Sequence, residues 1–288
     1  MSPTAGAVTT LAQALTDAKA LGVDRLDAQL LLARLLDRPR TWLLAHDEVV
    51  LDAAQDTRFR VELARRAGGE PLAYLLGEKE FRGLLLRVDP SVLVPRPETE
   101  LLVDWALELL EGALASTAAP RVVDLGTGSG AIALAVKHAC RTAVVIATDA
   151  SPAALQVARA NAARLTLNVA FASGSWWDAL PQRCFDLVLS NPPYISGADE
   201  HLAALTHEPL EALTPGGDGL DSLRTIVAGA NLHLEPSGWL LLEHGHDQAD
   251  AVQSMLRQQG FEAIETRHDL AGLSRCTGGR RPTSGASI

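Results

Sequence analysis

The chain has 288 residues, 47% of them hydrophobic and 21% charged, a composition that excludes disorder along its whole length. At roughly 150 residues per domain the length suggests about two domains, and apolar runs such as residues 143–147 fall far short of the roughly 18 residues of a membrane span. Residues 1–90 carry 12 basic and 13 acidic side chains and residues 91–288 carry 13 and 22, a net of −9; stable DNA binding is therefore not expected, because it rests on neutralising phosphates.

The first ten residues lack a basic segment followed by an apolar one, so no secretory signal is expected and the cytoplasm is the expected location. Thr10-Leu-Ala-Gln13 has the form of a capping box and opens a helix with Leu11, Leu15 and Ala18 on one face. Gly22 ends it. Residues 24–36 read as a second amphipathic helix, with a break at Pro39. Shorter helices are expected near 41–46 and 52–66, with Gly68-Gly69 as punctuation. The result is a small helical bundle, serving either as a scaffold or dimerisation unit or as a dock for substrate.

Residues 81–88 and 91–94 look like two strands of a hairpin with its turn at Asp89-Pro90. Helix returns over about 98–115. From Arg121 strands and helices alternate, with strands expected at 121–125, 143–148, 168–172, 185–190, 238–243 and 261–267. That alternation predicts an α/β fold with a mostly parallel sheet covered on both faces. The expected domains are a helical unit at 1–78, a hairpin linker at 79–96 and an α/β domain at 97–288. The Gly/Ser/Arg-rich tail, 278–288, is expected to fray. Cys140, Cys184 and Cys276 are far apart and form no CxxC, so neither a disulfide framework nor a zinc site is expected. His244-Gly-His246 lacks a third ligand at helical spacing, and no metal is expected.

Two motifs point to chemistry. In Val122-Val-Asp-Leu-Gly-Thr-Gly-Ser-Gly130 a buried strand runs into a Gly-rich turn and then a helix over Ala131–Ala139. Such glycines permit tight turning and close approach of backbone to a ligand, and the helix start adds oriented N–H groups. Asp149, at the end of the next strand, is placed to accept hydrogen bonds from two ribose hydroxyls. The order Asp-x-Gly-x-Gly-x-Gly differs from the dinucleotide fingerprint. An acid at 124 beside the loop would repel a pyrophosphate and suits a cationic ligand, as in the sulfonium and ammonium of S-adenosylmethionine. The second motif is Ser190-Asn-Pro-Pro-Tyr-Ile195, at the end of a strand expected beside the first, where ligands sit in open α/β sheets. Its prolines remove two backbone donors. An NH2 group there would have one hydrogen bound by the Asn191 amide oxygen and one by the Pro192 carbonyl, with Tyr194 as a flat face.

Asp-Leu-Gly-Thr-Gly-Ser-Gly with Asn-Pro-Pro-Tyr resembles the amino-group methyltransferases dependent on S-adenosylmethionine. Together with Gly69-Glu-Pro-Leu-Ala-Tyr-Leu-Leu-Gly-Glu-Lys-Glu-Phe81, Leu93-Val-Pro-Arg-Pro-Glu-Thr-Glu100 and Leu240-Leu-Leu-Glu-His-Gly245, it resembles most closely the HemK-type protein-(glutamine-N5) methyltransferases. That resemblance implies a Rossmann-like methyltransferase sheet with an N-terminal helical bundle and a bridging β-hairpin. It implies S-adenosylmethionine held by Gly126, Thr127, Gly128, Ser129 and Gly130 at its methionine end, by Asp149 at its ribose and by Trp176 at its adenine, with Asn191 nearby. Trp177 is assigned to packing. Asn191, Pro192, Pro193 and Tyr194 would hold the substrate glutamine and promote catalysis, and residues 95–99 would either close the pocket or brace the domains. The implied substrate is a class I peptide chain release factor at the glutamine of its Gly-Gly-Gln loop, and the enzyme is expected to act as a monomer. Alternatives are a glutamine of a large-subunit ribosomal protein, an amino group of a nucleic acid, or a module that binds without turnover. The family commonly ends in Gly-Arg-Tyr, whereas here Gly279-Arg280 is followed by Arg281 and a tail.

Overall fold

The computed structural model describes residues 9–283 apart from residue 182. The chain divides into two compact units, Met1–Glu78 and Lys79–Ile288, so residues 79–96 fall within the second. Among the described residues no helix is long and apolar enough to cross a membrane.

The first unit is helical: α1 (Leu11–Ala20), α2 (Arg25–Leu36), α3 (Arg40–Leu44), α4 (Ala53–Ala67) and α5 (Leu72–Leu76). Thr10 caps α1 by accepting from the Gln13 N–H at 3.2 Å. The reciprocal capping box stands instead at α4, where Asp52 and Gln55 exchange side-chain and backbone hydrogen bonds. Leu11, Leu31, Leu32, Phe59 and Leu63 form the core of this unit. Ion pairs from α4 to α2, Arg66–Asp27 at 2.6 Å and Arg34–Glu62 at 2.5 Å, fix its rim. Helix α5, which follows Gly68-Gly69, was not expected: five residues are too few to show a helical period.

At the boundary, a hairpin of β1 (Glu78–Phe81) and β2 (Leu84–Arg87) opens the second unit, which takes all of it but Glu78. This corrects the expected register, which put the turn at Asp89-Pro90. The turn is Arg82-Gly83, with φ of 47° and 75°, the paired positive φ that suits a two-residue hairpin. Residues 91–94 form no strand. After a short turn over Pro97–Thr99 come α6 (Glu100–Glu111), β3 (Arg121–Leu125), α7 (Ala131–Ala139), β4 (Val144–Asp149), α8 (Pro152–Leu165), β5 (Ala170–Ser173) and β6 (Phe185–Ser190). The chain continues through α9 (Leu210–Leu213), α10 (Asp221–His233), β7 (Leu234–Glu243), α11 (Ala249–Gln258), β8 (Glu262–His268) and β9 (Ser274–Arg280).

The seven-stranded sheet has the order β5-β4-β3-β6-β7-β9-β8. β3 pairs in parallel with both β4 and β6, so the chain leaves β3 in one direction and returns to its other side. The crevice at that reversal is where open α/β sheets bind ligands. Alternate residues feed opposite cores. Val122, Leu187, Leu189 and Leu241 join one with α6 and α7, while Val123, Val188, Leu240 and Leu242 join the other with α10 and α11. β9 was not anticipated, and it runs antiparallel to both β7 and β8. Residues 278–280 therefore lie in the sheet rather than in a frayed tail, and 284–288 lie outside the described residues. A side chain at Gly278 would stand 2.3 Å from Leu241 and 2.9 Å from Trp105; the glycine that weakens the strand signal is what lets α6 and the sheet close here.

Candidate active site

At the carboxyl end of β3 the backbone turns through Gly126, Gly128 and Gly130, all at positive φ. A Cβ at Gly126 would stand 3.3 Å from the Trp176 ring, so the glycine admits the indole beside the loop. Gly130 caps α7 in the left-handed region, and a Cβ there would press on Leu134 at 3.0 Å. The turn is pinned by Thr127 N–H to Thr148 O and by Gly130 N–H to Thr127 O, both 2.8 Å.

Asp124 lies beneath this loop, fully buried. Its Oδ2 accepts from the Thr127 hydroxyl at 2.6 Å and the Ala133 N–H at 3.2 Å, tying the loop to α7. Its Oδ1 is buried without a partner among the described residues. Burial pushes its pKa up to about 7, against the two hydrogen bonds. Asp124 therefore braces the loop from below rather than facing a ligand as the sequence suggested. At the end of β4, Asp149 accepts from Gly128 N–H at 2.9 Å and Ser151 N–H at 2.8 Å. Burial raises its pKa while these N–H groups oppose the rise.

The second motif follows β6. Ser190 donates to the Leu125 carbonyl at 2.7 Å, locking the ends of β3 and β6 together. Asn191 Nδ2 donates to Thr99 Oγ1 at 3.2 Å, which leaves Oδ1 as the acceptor of that amide. The Tyr194 carbonyl accepts from Gln248 Nε2 at 2.9 Å, and Gln248 Oε1 in turn accepts from Gly245 N–H at 2.9 Å. The Tyr194 hydroxyl donates to Glu243 Oε1 at 3.4 Å. Burial holds this phenol well above the usual tyrosine range, with the Glu243 charge adding to the effect. Glu243, the last residue of β7, is itself buried. Burial pushes its pKa up to about 7, opposed by the nearby Thr99 hydroxyl, the charge of Arg275 and the bond from Tyr194.

One cavity of about 210 Å³ joins both motifs. Gly126, Thr127, Gly128, Ser129, Asp149, Trp176, Asn191 and Pro193 all line it. Gly130, Pro192 and Tyr194 are not among the lining residues. Gly130 serves the loop's bend, Pro192 is buried, and the Tyr194 ring packs against the core beneath α10 and α11. The adjacent tryptophans separate cleanly. Trp176, at a positive φ of 47°, lines the cavity, whereas Trp177 donates to the Ile226 carbonyl at 3.1 Å and stacks on His233 at 4.4 Å.

The 95–99 segment also lines the cavity, through Pro95, Arg96 and Thr99. Opposite stand Pro209, Glu211 and Ala212, which the sequence gave no reason to single out. The two sides are tied by Glu208, which accepts from Val94 N–H at 3.0 Å and pairs with Arg96. Asp149 and Glu211 make the lining acidic, and Arg96, already paired, is the one basic residue among the described residues that line it. Such a lining disfavours a polyphosphate and suits a ligand with a flat base, a ribose and a cationic end. S-adenosylmethionine has those three parts.

A family model described as the methyltransferase small domain matches residues 100–262, and one described as the PrmC N-terminal domain matches residues 7–77. The release factor glutamine methyltransferase of Bordetella pertussis is 50% identical over 261 residues, 90% of this chain and 95% of that protein. The chain belongs to the release factor glutamine methyltransferase family. The Coxiella burnetii protein of the same description is 46% identical, over 89% of this chain and 92% of its own length. Among solved structures, the N-terminal domain of human METTL16 in complex with SAH matches with a TM-score of 0.53 at 19% identity, over 83% of this chain and 86% of that one. That likeness is one of fold. This chain is thus a methyltransferase.

Proposed function

We propose that this enzyme transfers a methyl group to the side-chain amide nitrogen of the glutamine in the Gly-Gly-Gln loop of class I peptide chain release factors. S-adenosylmethionine is the donor, and when bound it supplies a methyl group made electrophilic by the sulfonium. The observation that carries this reading is the shared cavity, in which the acceptor amide of Asn191 lies with Asp149, Trp176 and the Gly126–Gly128 turn. Relatives matching about nine-tenths of the chain bear the release-factor description.

A carboxamide nitrogen is a poor nucleophile, because its lone pair is delocalised into the carbonyl. In this reading the Asn191 oxygen and the Pro192 carbonyl bind the two amide hydrogens of the substrate glutamine. These acceptors orient the nitrogen and favour the more tetrahedral, more positive nitrogen of the transition state. Pro193 narrows the turn, and Tyr194 acts from behind it, holding the turn through its carbonyl and hydroxyl. Asp149 takes the ribose hydroxyls with the acceptor capacity left by Gly128 and Ser151. Trp176 offers its face to the adenine, and the loop from Gly126 to Gly130 encloses the methionine end. Arg96 and Glu208 close the cavity against water.

The same reading assigns the helical unit to docking the release factor. It takes the enzyme as a cytoplasmic monomer without stable DNA binding, the last on the −9 net charge of residues 91–288. The test is transfer of labelled methyl from S-adenosylmethionine to an unmodified release factor and to its loop Gln→Ala variant. Label on the first alone is expected. Equal label on both, or label only on a ribosomal protein or nucleic acid, would overturn the assignment.

A further inference from the structure

Two prolines follow Asn191, so the middle of the acceptor turn has no N–H with which to fasten itself to its surroundings. The carbonyl that receives a substrate NH2 must also stay free. Such a turn is stiff, and its position is set from its two ends. At the entrance, Ser190 donates to the Leu125 carbonyl at 2.7 Å. At the exit, the Tyr194–Ile195 peptide is held at both of its polar atoms. Its N–H donates to the Leu213 carbonyl at 3.0 Å, and its oxygen accepts from Gln248 Nε2 at 2.9 Å.

Gln248 is not among the described residues that line the cavity. Its side-chain amide bridges two backbone groups, accepting from Gly245 N–H and donating to the Tyr194 carbonyl, each at 2.9 Å. A backbone N–H only donates and a carbonyl only accepts, so this amide fits one way round. Two glycines from separate segments make room for it. A Cβ at Gly219, where φ is 81°, would run into the Tyr194 carbonyl oxygen and stand 3.1 Å from Gln248 Nε2. One at Gly245 would stand 3.2 Å from Gln248 Oε1. Gly245 is fixed in turn by His244, whose Nδ1 donates to the Gly245 carbonyl at 2.8 Å. His244 Nε2 meets the Thr277 hydroxyl of β9 at 2.7 Å. The bridge therefore runs from the sheet to the turn.

We propose that Gln248 is the positioning residue of the acceptor turn: it fixes the Tyr194–Ile195 peptide and with it the direction in which the stiff Pro-Pro segment presents its acceptors. The inference rests on the functional reading above and adds to it what aims the turn. The test uses the full-length enzyme, Gln248→Met, which keeps the length and loses both hydrogen bonds, and Gln248→Glu. Methyl transfer to the release factor is read as kcat per S-adenosylhomocysteine-binding site, counted by calorimetry, so that a loss of folded protein does not register. Gln248→Met is expected to lower this kcat by about tenfold to a hundredfold, the scale of a misplaced reacting group, and to move the calorimetric Kd by less than about threefold.

An ionised glutamate at 248 can only accept and would oppose the Tyr194 carbonyl, whereas its protonated form can donate to it. The kcat of Gln248→Glu relative to wild type should therefore rise as pH is lowered from about 8 to about 6, while that of Gln248→Met stays flat. The titratable and charged side chains in the segments around the bridge are Tyr194, Asp218, Glu243, His244, Asp247 and Arg275. All are common to the three proteins, so the ratio to wild type removes their titration. Hydrogen exchange of the Ile195 amide, read by NMR, should be faster by at least about tenfold in Gln248→Met, because its peptide has lost one of two anchors. A kcat within about threefold of wild type in Gln248→Met, or a lower one with Ile195 exchange unchanged and no pH-dependent recovery in Gln248→Glu, would overturn the positioning role. A wild type that methylates no release factor would sink the functional reading instead. Ile195 exchange would then judge the inference, and equal rates in wild type and Gln248→Met would end it.

Discussion

Two buried carboxylates stand near strand ends around the cavity, Asp124 in β3 and Glu243 at the end of β7. Each is fully buried, each has one oxygen without a partner among the described residues, and burial pushes each up to about 7. Their donors differ. Asp124 is satisfied by Thr127 and Ala133, within nine residues of it. Glu243 accepts from Tyr194, 49 residues away. The first holds a local loop in shape for one ligand. The second ties the Tyr194 end of the acceptor turn to the end of β7.

The sharpest way to break this division is at the acceptor itself. Asn191→Ala should lower kcat about a hundredfold or more, as removal of a group that acts in the transition state does, with little change in thermal midpoint. A near-normal single-turnover rate would remove Asn191 from the mechanism. Next in size is Asp149→Ala, on the ligand side served by Asp124. It should weaken S-adenosylmethionine by about tenfold, the scale of a lost hydrogen bond to a charged group, and leave kcat at saturation much closer to wild type. Unchanged affinity by calorimetry would contradict its ribose role.

How far these two regions could be read from sequence follows the same line. The strand, Gly-rich turn and helix around Asp124 are contiguous, so their spacing announced them, and Ala131–Ala139 is helical as expected. Asp149 ends β4 and Asn191 follows β6, the two strands that flank β3, and both were reachable from the strand alternation. Glu208 and Glu211 were not singled out, and Thr99 and Glu243 entered only within the 95–99 and 240–245 segments, because their partners lie far along the chain and no short spacing relates them. β9 was hidden by Gly278 and Gly279, whose absence of side chains serves packing against Leu241, Phe261 and Ile264. The hairpin was misplaced because Asp89-Pro90 carries a stronger turn signal than Arg82-Gly83. The order of Trp176 and Trp177 becomes clear only once His233 and Ile226 are brought beside the second of them.

The smallest expected effect concerns stability. Both carboxylates are raised in the folded state from 3.8 and 4.5, so folded protein keeps protons that the unfolded chain has lost. Their contribution to stability is full below about pH 4 and is lost as pH rises through about 7. The thermal midpoint should therefore fall less between pH 5 and pH 8 (roughly the window set by these pKa values) in Asp124→Asn and in Glu243→Gln than in wild type. Curves parallel to wild type in both would show that these groups are ionised throughout. A flattened curve in only one would show that the two burials are not equivalent.

The most direct measurement is tandem mass spectrometry of a release factor after incubation with S-adenosylmethionine and either wild-type enzyme or Asn191→Ala. The expected result is one added methyl group on the side-chain nitrogen of the Gly-Gly-Gln glutamine with wild type and almost none with the variant. A methyl group on another residue, or equal modification of the glutamine by both proteins at early times, would contradict the central claim that the turn at Asn191 holds and activates that amide.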